Sequence, residues 1–403
     1  MKIIHVTPSY KPAYIYGGPI HSVGKLCETL ISLTISGENS RNSDQDEAID
    51  GEVMTTTANG KSELNVEVEK TTFVNQVPVT YFRRWTKDHS HFSPELLWGL
   101  RKSIRKGQDK KIIIHIHAWW NLVSVLSCLV AKWYQIPVIL SPRGMLTAYT
   151  RTNRNSIVKT IFHKLIGKRL LQYSYIHATS PQEQIDILKL VQPKSVTVIP
   201  NLLKLADSTV QKKERISSDF FKLIFLSRIE EKKGLELLLE ALSKVEIVWT
   251  LTIAGSGNEN YVGSLKQKVK ALKLRGQIDW LGHVNNEDKY QLMAAHDLLV
   301  LPSYSENFAN VAIESLSVGT PVLVSDKVGL ADYILEKNLG WVTSLDIKEI
   351  GNKLTAAAED KLKRNAVRAI APGQIREDFD DEVLARRYLA LYKSVISRSQ
   401  RKS

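Results

Sequence analysis

VLPSYSENFANVAIESLSVGTPVLVSD, residues 300–326, decides how the rest of this chain is understood. Residues 298–301 are a short apolar run that reads as a buried strand, and residues 302–307 read as a turn. A short helix carrying residues 312–318 follows, then a Gly-Thr-Pro break and a second buried strand at 322–324. Glu306 falls in the loop just before the helix, and Glu314 lies within it, eight positions later. A helix that begins near Ala309 to Val311 points free backbone N–H groups and a positive dipole end out of the strand edge. That end suits an anion, and the two carboxylates beside it can accept hydrogen bonds from hydroxyls. Phosphate in the middle with hydroxyls on both sides is the pattern of a nucleotide sugar. Two glutamates eight apart are common, so the remainder of the chain has to carry the same chemistry.

Working outward, 403 residues are too many for one ordinary core and enough for two. The composition, 43% hydrophobic and 24% charged, is that of a globular protein. Two cysteines, Cys27 and Cys128, make no disulfide framework and read as buried free thiols in a reducing compartment. MKIIHVTPSY runs straight into a strand pattern with nothing that looks cleavable. The longest apolar stretch, residues 122–134, is interrupted by Ser124, Ser127 and Lys132 and is too short to span a bilayer. The expected location is the cytoplasm, including the inner face of the cytoplasmic membrane. Net charge is +13, and it is uneven. Residues 1–206 carry 26 basic against 15 acidic side chains, and residues 207–403 carry 29 against 27. The basic clusters are RKSIRKGQDKK (101–111) and KTIFHKLIGKRLLQY (159–173). The second sets Ile161, Phe162, Leu165, Ile166 and Leu170 near one face with Lys164, Lys168 and Arg169 beside it, which suits an anionic membrane surface or a solvated basic helix. Nucleic acid is not an expected partner, because no basic motif is interleaved with aromatics and no recognition-helix pattern is present.

Taken in order, residues 2–7 form a first strand, and Gly17 and Gly18 precede a helix from about His21 to Ser32. A Gly-Gly loop feeding a helix start is a second anion site. The polar run 36–51 reads as a flexible loop. Strands follow at 52–56 and 79–82, and KIIIHIHAWWN (111–121) is a buried parallel strand that ends in polar and aromatic residues. Ligands bind beyond the carboxyl ends of strands in open α/β sheets, which places His117, Trp119 and Asn121 where chemistry is expected. Further strands are read at 137–140, 175–180 and 196–201, the first of them running into a turn with Arg143, Gly144 and Met145. The polar run 206–218 fits a hinge. Beyond it a strand at 223–226 leads to Ser227 and Arg228, then Lys233 and Gly234, then a Leu-rich helix. Arg228 and Lys233, five apart across a strand-to-helix loop, can converge on one pyrophosphate, Arg as a fork and Lys as a point charge. A strand with a Gly-Ser-Gly turn, a strand at 278–281 followed by Gly282 and His283, and a helix at about 287–295 lead into the opening stretch. After Gly329 helices are expected to the end.

Four of these features, in this order, resemble retaining glycosyltransferases of family 4, of the kind that builds bacterial polysaccharides. The Glu306/Glu314 region is similar to the family's E-x7-E signature. SRIEEKKG (227–234) resembles its G-R-x-x-x-x-K-G phosphate loop with Ser227 in place of Gly, and the HIHAWW strand end and the Gly-Gly loop resemble their counterparts. The resemblance implies an α/β fold of the GT-B class, two doubly wound Rossmann-like domains facing a central cleft, with a C-terminal helix crossing back to the N-terminal domain. It implies an acceptor-binding domain at 1–205, a nucleotide-sugar-binding domain at 206–379 and the returning helix at 380–403. By the same resemblance His117, Arg228, Lys233 and Glu306 are catalytic, His115 being the poorer choice for the histidine because it lies deeper in the strand. Gly17, Gly18, His283, Phe308, Ala309, Asn310 and Glu314 are implied in donor binding and Arg143 in acceptor binding. The usual Phe-Gly is Phe308-Ala309 here, a costlier residue if its φ must be positive. The implied activity moves a sugar from a UDP- or GDP-sugar to a glycan or lipid-linked acceptor with retention, the donor phosphate taking the acceptor proton. No cofactor is implied, and no metal, since no D-x-D pair occurs in these motifs. The alternative is a non-catalytic GT-B protein that binds a sugar nucleotide, and intact Arg228, Lys233 and Glu306 weigh against it.

Overall fold

KIIHVT and IIIHIH are apolar on both faces, a composition that fits only the middle of a sheet covered on each side. In the computed structural model, which describes residues 1–39, 49–147, 166–206, 220–274, 278–285 and 288–400, they lie side by side and fully buried. Positions 40–48 of the acidic loop, 159–165 of the basic stripe and 207–218 of the hinge lie outside the described residues. The chain divides into Met1–Leu203 with Asp381–Ser403, and Lys204–Asp380.

The strands of the first unit are β1 (Lys2–Thr7), β2 (Asp50–Thr56), β3 (Ala58–Asn59), β4 (Ser62–Glu63), β5 (Thr71–Val74), β6 (Val77–Phe82), β7 (Ile112–His117), β8 (Val138–Ser141), β9 (Tyr175–Ala178) and β10 (Ser195–Val198). Eight form a sheet in the order β10-β9-β8-β7-β1-β2-β6-β5, parallel except for the β5–β6 edge, and β3 and β4 make a separate hairpin. The order reverses between β1 and β7, which puts the ligand-binding crevice of this sheet at the carboxyl ends of those two strands. The helices are α1 (Gly18–Asn39), α2 (Pro94–Lys106), α3 (Leu122–Trp133), α4 (Lys168–Tyr173) and α5 (Pro181–Leu190). Starts at α2, α3 and α5 are capped by the side chains of Ser93, Asn121 and Ser180. α1 starts earlier and runs longer than the 21–32 segment expected, so Gly18 is its first residue and only Gly17, at φ +69°, forms the turn.

The second unit has β11 (Phe221–Leu226), β12 (Trp249–Ala254), β13 (Ile278–Gly282), β14 (Leu298–Leu301), β15 (Val322–Ser325) and β16 (Gly340–Thr343), all parallel, in the order β13-β12-β11-β14-β15-β16. Its switch point lies between β11 and β14, the two strands whose loops carry Arg228, Lys233 and Glu306. The helices are α6 (Leu235–Leu242), α7 (Glu259–Ala271), α8 (Asp288–Ala294), α9 (Asn310–Ser317), α10 (Ala331–Glu336), α11 (Ile347–Glu359) and α12 (Lys361–Asp378). The expectation of helices alone after Gly329 is corrected by β16. GWVT is too short to show a strand period, and only pairing along β15 makes it a strand.

The last helix, α13 (Asp381–Gln400), belongs to the first unit. It buries Leu384, Ala385, Tyr388, Leu391, Tyr392, Val395 and Ile396, one face of an amphipathic helix, against α1 and β7. Two of those side chains end in hydroxyls that meet histidines: Tyr392 Oη lies 2.8 Å from His115 Nδ1 and Tyr388 Oη 3.0 Å from His177 Nε2. Tyr392→Phe keeps the shape and leaves a fully buried imidazole nitrogen without its donor. Equilibrium denaturation is expected to show a loss of about 1–3 kcal/mol, the cost of an unmade buried hydrogen bond. An unchanged unfolding midpoint would mean that the hydroxyl does not hold the helix down.

Candidate active site

The second unit's constellation starts from backbone geometry. Gly234 has φ +68°, and a Cβ there would stand 2.0 Å from the carbonyl oxygen of Pro302. The loop after β11 therefore lies directly on the loop after β14, a contact extended by Tyr304 N donating to Lys232 O at 2.9 Å. Gly255 makes the second close approach, its missing Cβ 1.8 Å from Ser227 O, so the Gly-Ser-Gly turn serves first to carry the Arg228 loop. Ile229 N donates to Ser256 O at 2.8 Å. Ser227 is not among the residues with positive φ, and Ser in place of Gly therefore costs this loop no strain.

Stacking the two loops brings Lys233, 8% exposed, onto Glu306, whose side chain is 18% exposed, and the ammonium donates to Glu306 Oε2. Burial pushes the Glu306 carboxyl up, but Lys233, Lys232 and Arg228 outweigh it, and the group is held below the usual carboxylate range. Burial also lowers the ammonium of Lys232. Arg228 is about half exposed and pairs with Glu230 at 2.8 Å. Three cations thus surround one carboxylate. The Glu306 backbone is pinned by the loop after β15, its N–H donating to Lys327 O at 3.1 Å and its carbonyl accepting from Gly329 N at 2.8 Å.

Next to it, α9 begins at Asn310. Its N-cap is Ala309 at φ +67°, ψ +66°, the left-handed region that glycine occupies at least cost. Phe308 is 3% exposed and packs edge-on against Phe379, so its ring is committed to the core. Glu314 forms an ion pair with Lys289 of α8 at 2.7 Å, both side chains 13% exposed. His283 is exposed beyond Gly282, whose carbonyl accepts from Gly255 N at 2.6 Å. Lys289 and Lys232 were not singled out in the sequence, and their positions depend on loop packing that no local signal records.

In the first unit the register of β1 on β7 sets His5 opposite His115, and alternation puts His117 on the same face. Arginine only donates, so His117 Nδ1 accepts from Arg143 Nη2 at 3.4 Å and its Nε2 donates to His5 Nδ1 at 3.0 Å. A carbonyl only accepts, so His177 Nε2 donates to Ile199 O at 2.8 Å, and its Nδ1 then accepts from Ser141 Oγ at 2.7 Å. Ser141 in turn accepts from His115 Nε2 at 2.7 Å, and His115 Nδ1 takes the Tyr392 proton. Hydrogen-bond direction thereby assigns every tautomer. His117, the side chain read as meeting a donor sugar, is 1% exposed, with both nitrogens engaged within the first unit. His5, His115 and His117 lie close enough to hold a metal, yet His5 Nδ1 and both nitrogens of His115 and His117 are committed to these bonds beside the Arg143 cation.

Arg143 itself sits at φ +50° and donates from Nη1 to Ser22 Oγ at 2.9 Å and to Asn201 Oδ1 at 2.8 Å. Its Nε is buried without a partner, and among the described residues no carboxylate forms an ion pair with it. The turn is braced by Glu183, 2% exposed, which accepts from Gly144 N at 2.6 Å and Thr179 N at 2.7 Å. Glu183 was not singled out in the sequence, although Ser180-Pro-Gln-Glu183 has the spacing of a capping box and marks it; its carboxylate is turned to Thr179 and Gly144.

Against this geometry the comparisons are direct. A family model described as Glycosyltransferase Family 4 matches residues 49–206, and one described as Glycosyl transferases group 1 matches residues 207–374. The chain belongs to the GT-B glycosyltransferases. Members with solved structures share its fold from end to end. HepE of Anabaena in complex with UDP and glucose matches with TM-score 0.68 at 19% identity, over 98% of this chain and 100% of that one. Sucrose-phosphate synthase of Thermosynechococcus elongatus matches with TM-score 0.72 at 17% identity, over 99% and 100%. Among curated relatives, an uncharacterized glycosyltransferase of Methanocaldococcus jannaschii is 29% identical over 44% of this chain and 46% of its own length. An N,N'-diacetylbacillosaminyl-diphospho-undecaprenol alpha-1,3-N-acetylgalactosaminyltransferase of Campylobacter jejuni is 24% identical over 66% and 73%. The match spans about half the length of the first of these relatives.

Two outcomes follow from the site's electrostatics and strain. Burial, with Arg143 nearby, pushes His5 and His177 down to about 3 and holds His115 and His117 well below 6.5. The unfolded chain takes up protons on these groups as pH falls through 6.5 while the folded chain does not, so their stability contribution is present above that pH and lost below it. Urea denaturation at about pH 7.5 and about pH 5.5 is expected to differ by on the order of 5 kcal/mol, roughly 1.4 for each of the four imidazoles. A flat profile would mean that the cluster protonates in the folded state. Separately, Ala309→Gly relieves the left-handed strain and is expected to raise stability by about 1 kcal/mol. A loss of stability would contradict that reading of the α9 start.

Proposed function

We propose that the chain transfers a hexosyl group, with retention of anomeric configuration, from a UDP- or GDP-sugar to a glycan or lipid-linked acceptor in envelope or exopolysaccharide assembly. The observation that carries the reading is the Lys233–Glu306 pair at the β11/β14 switch point, with Lys232 and Arg228 around it and the start of α9 alongside. A nucleoside diphosphate leaving group gains negative charge as the sugar–oxygen bond breaks. Arg228, Lys233 and the α9 N–H groups offer fixed positive charge for it without a metal ion. Glu306 accepts from sugar hydroxyls and Glu314 from ribose hydroxyls, each sharing its lysine with the ligand. Retention is assigned to front-face attack, in which the donor phosphate oxygen takes the acceptor proton, since no carboxylate among the described residues is an obvious nucleophile. Trapping a glycosyl adduct on Glu306 would overturn that step. Arg143, a half-buried cation whose Nε has no partner, is assigned to an anionic group of the acceptor. The donor class is supported by HepE, whose structure holds UDP and glucose, and the acceptor class by the Campylobacter relative, whose name specifies a diphospho-undecaprenol glycan.

A thermal-shift panel of UDP, GDP, ADP and their sugar conjugates tests the donor. One nucleotide family at about 100 times its dissociation constant is expected to add roughly 2.7 kcal/mol, and Lys233→Ala to abolish the shift. Sugar release is expected to persist in excess chelator and to yield the donor's own anomer by NMR. No shift with any nucleotide would remove the reading.

A further inference from the structure

We propose that the outer face of α2 and the end of α3 rest on an anionic lipid bilayer. α2 turns Leu96, Leu100, Ser103 and Ile104 into the core and leaves Trp98 66% exposed. Trp133, at the end of α3, is 85% exposed, and Trp85 is 66% exposed. Contacts tie these indoles into one strip. Trp85 Nε1 donates to Glu95 Oε1 at 2.9 Å, one turn before Trp98. The Arg101 guanidinium lies 5.2 Å over the Trp98 ring, and its Nε donates at 2.7 Å to the hydroxyl of Tyr134, the neighbour of Trp133. An indole on a water-facing helix gains nothing from solvent, whereas its apolar body and polar N–H match the boundary between headgroups and acyl chains.

The charge beside the strip decides the occupant. Lys102, Arg105, Lys106 and Lys132 are exposed along it, while the one carboxylate on α2, Glu95, is tied to Trp85, and Asp109 follows beyond the helix end. A second copy would bring the same basic side chains against these, at a cost, whereas phosphate headgroups complement them. No helix among the described residues is long and apolar enough to cross a membrane, so the contact lies in the interfacial plane. The strip does not depend on the transfer reaction.

The test is co-sedimentation of the whole protein with vesicles of phosphatidylglycerol and phosphatidylethanolamine, or of phosphatidylcholine alone. Binding is expected to the first and not the second, with a blue shift of tryptophan emission. Trp98→Ser with Trp133→Ser is expected to weaken partitioning by roughly tenfold per indole. Lys102→Ala with Arg105→Ala is expected to weaken it about 30-fold, about 1 kcal/mol for each cation. All four side chains are outside the core, so circular dichroism should not change. The proposal is overturned if wild type ignores the anionic vesicles or if both variants bind as tightly as wild type. It is equally overturned if gel filtration shows a wild-type dimer that the tryptophan variant converts to monomer.

Discussion

A carboxylate that is held ionised in a largely dehydrated place needs positive charge within a few ångströms, and much of the second unit's loop structure is arranged to supply it to Glu306. Lys233 reaches it because Gly234 lets the loop after β11 lie against Pro302. That loop keeps its path because Gly255 lets the next loop approach Ser227. The carboxylate stays in place because the loop after β15 holds its backbone on both sides. These contacts hold the pair together, and a buried charge left without its partner is costly. The same arrangement gives the site its chemistry. Cations that stabilise one carboxylate are already gathered, and Lys233 is already buried, so a ligand carrying more negative charge meets them with little reorganisation.

The first unit solves a different problem. Four imidazoles and an arginine sit at the carboxyl ends of its central strands, and only the arginine is charged. Burial, with the Arg143 cation beside them, keeps the histidines neutral, and hydrogen bonds in fixed directions, to a tyrosine of the last helix and to a backbone carbonyl, hold their tautomers. The C-terminal helix is therefore part of the polar core of this unit and more than a cover over it.

Much of the fold was legible because central parallel strands are apolar on both faces, as KIIHVT, IIIHIH and LLVL show, and because Gly and Pro mark their ends. The left-handed cost at Ala309 could also be foreseen, since only the substitution for glycine was needed to pose the question. What could not be read were consequences of register and long-range packing. His5 meets His117 only because β1 and β7 pair as they do, and Tyr392 meets His115 across 277 residues. The engagement of His117 with His5 and Arg143, that of Glu314 with Lys289 and the strand GWVT all arise in the same way. Each depends on a neighbour far away in sequence.

The central claim is that Lys233 is held by Glu306 and shared with a diphosphate. Calorimetric titration of a bare nucleoside diphosphate into wild type, Glu306→Gln and Lys233→Ala tests it most directly. If the claim holds, Glu306→Gln binds the diphosphate more tightly, because the competing carboxylate is gone, and Lys233→Ala binds it more weakly. Equal affinities for wild type and Lys233→Ala, or weaker binding by Glu306→Gln, would contradict it.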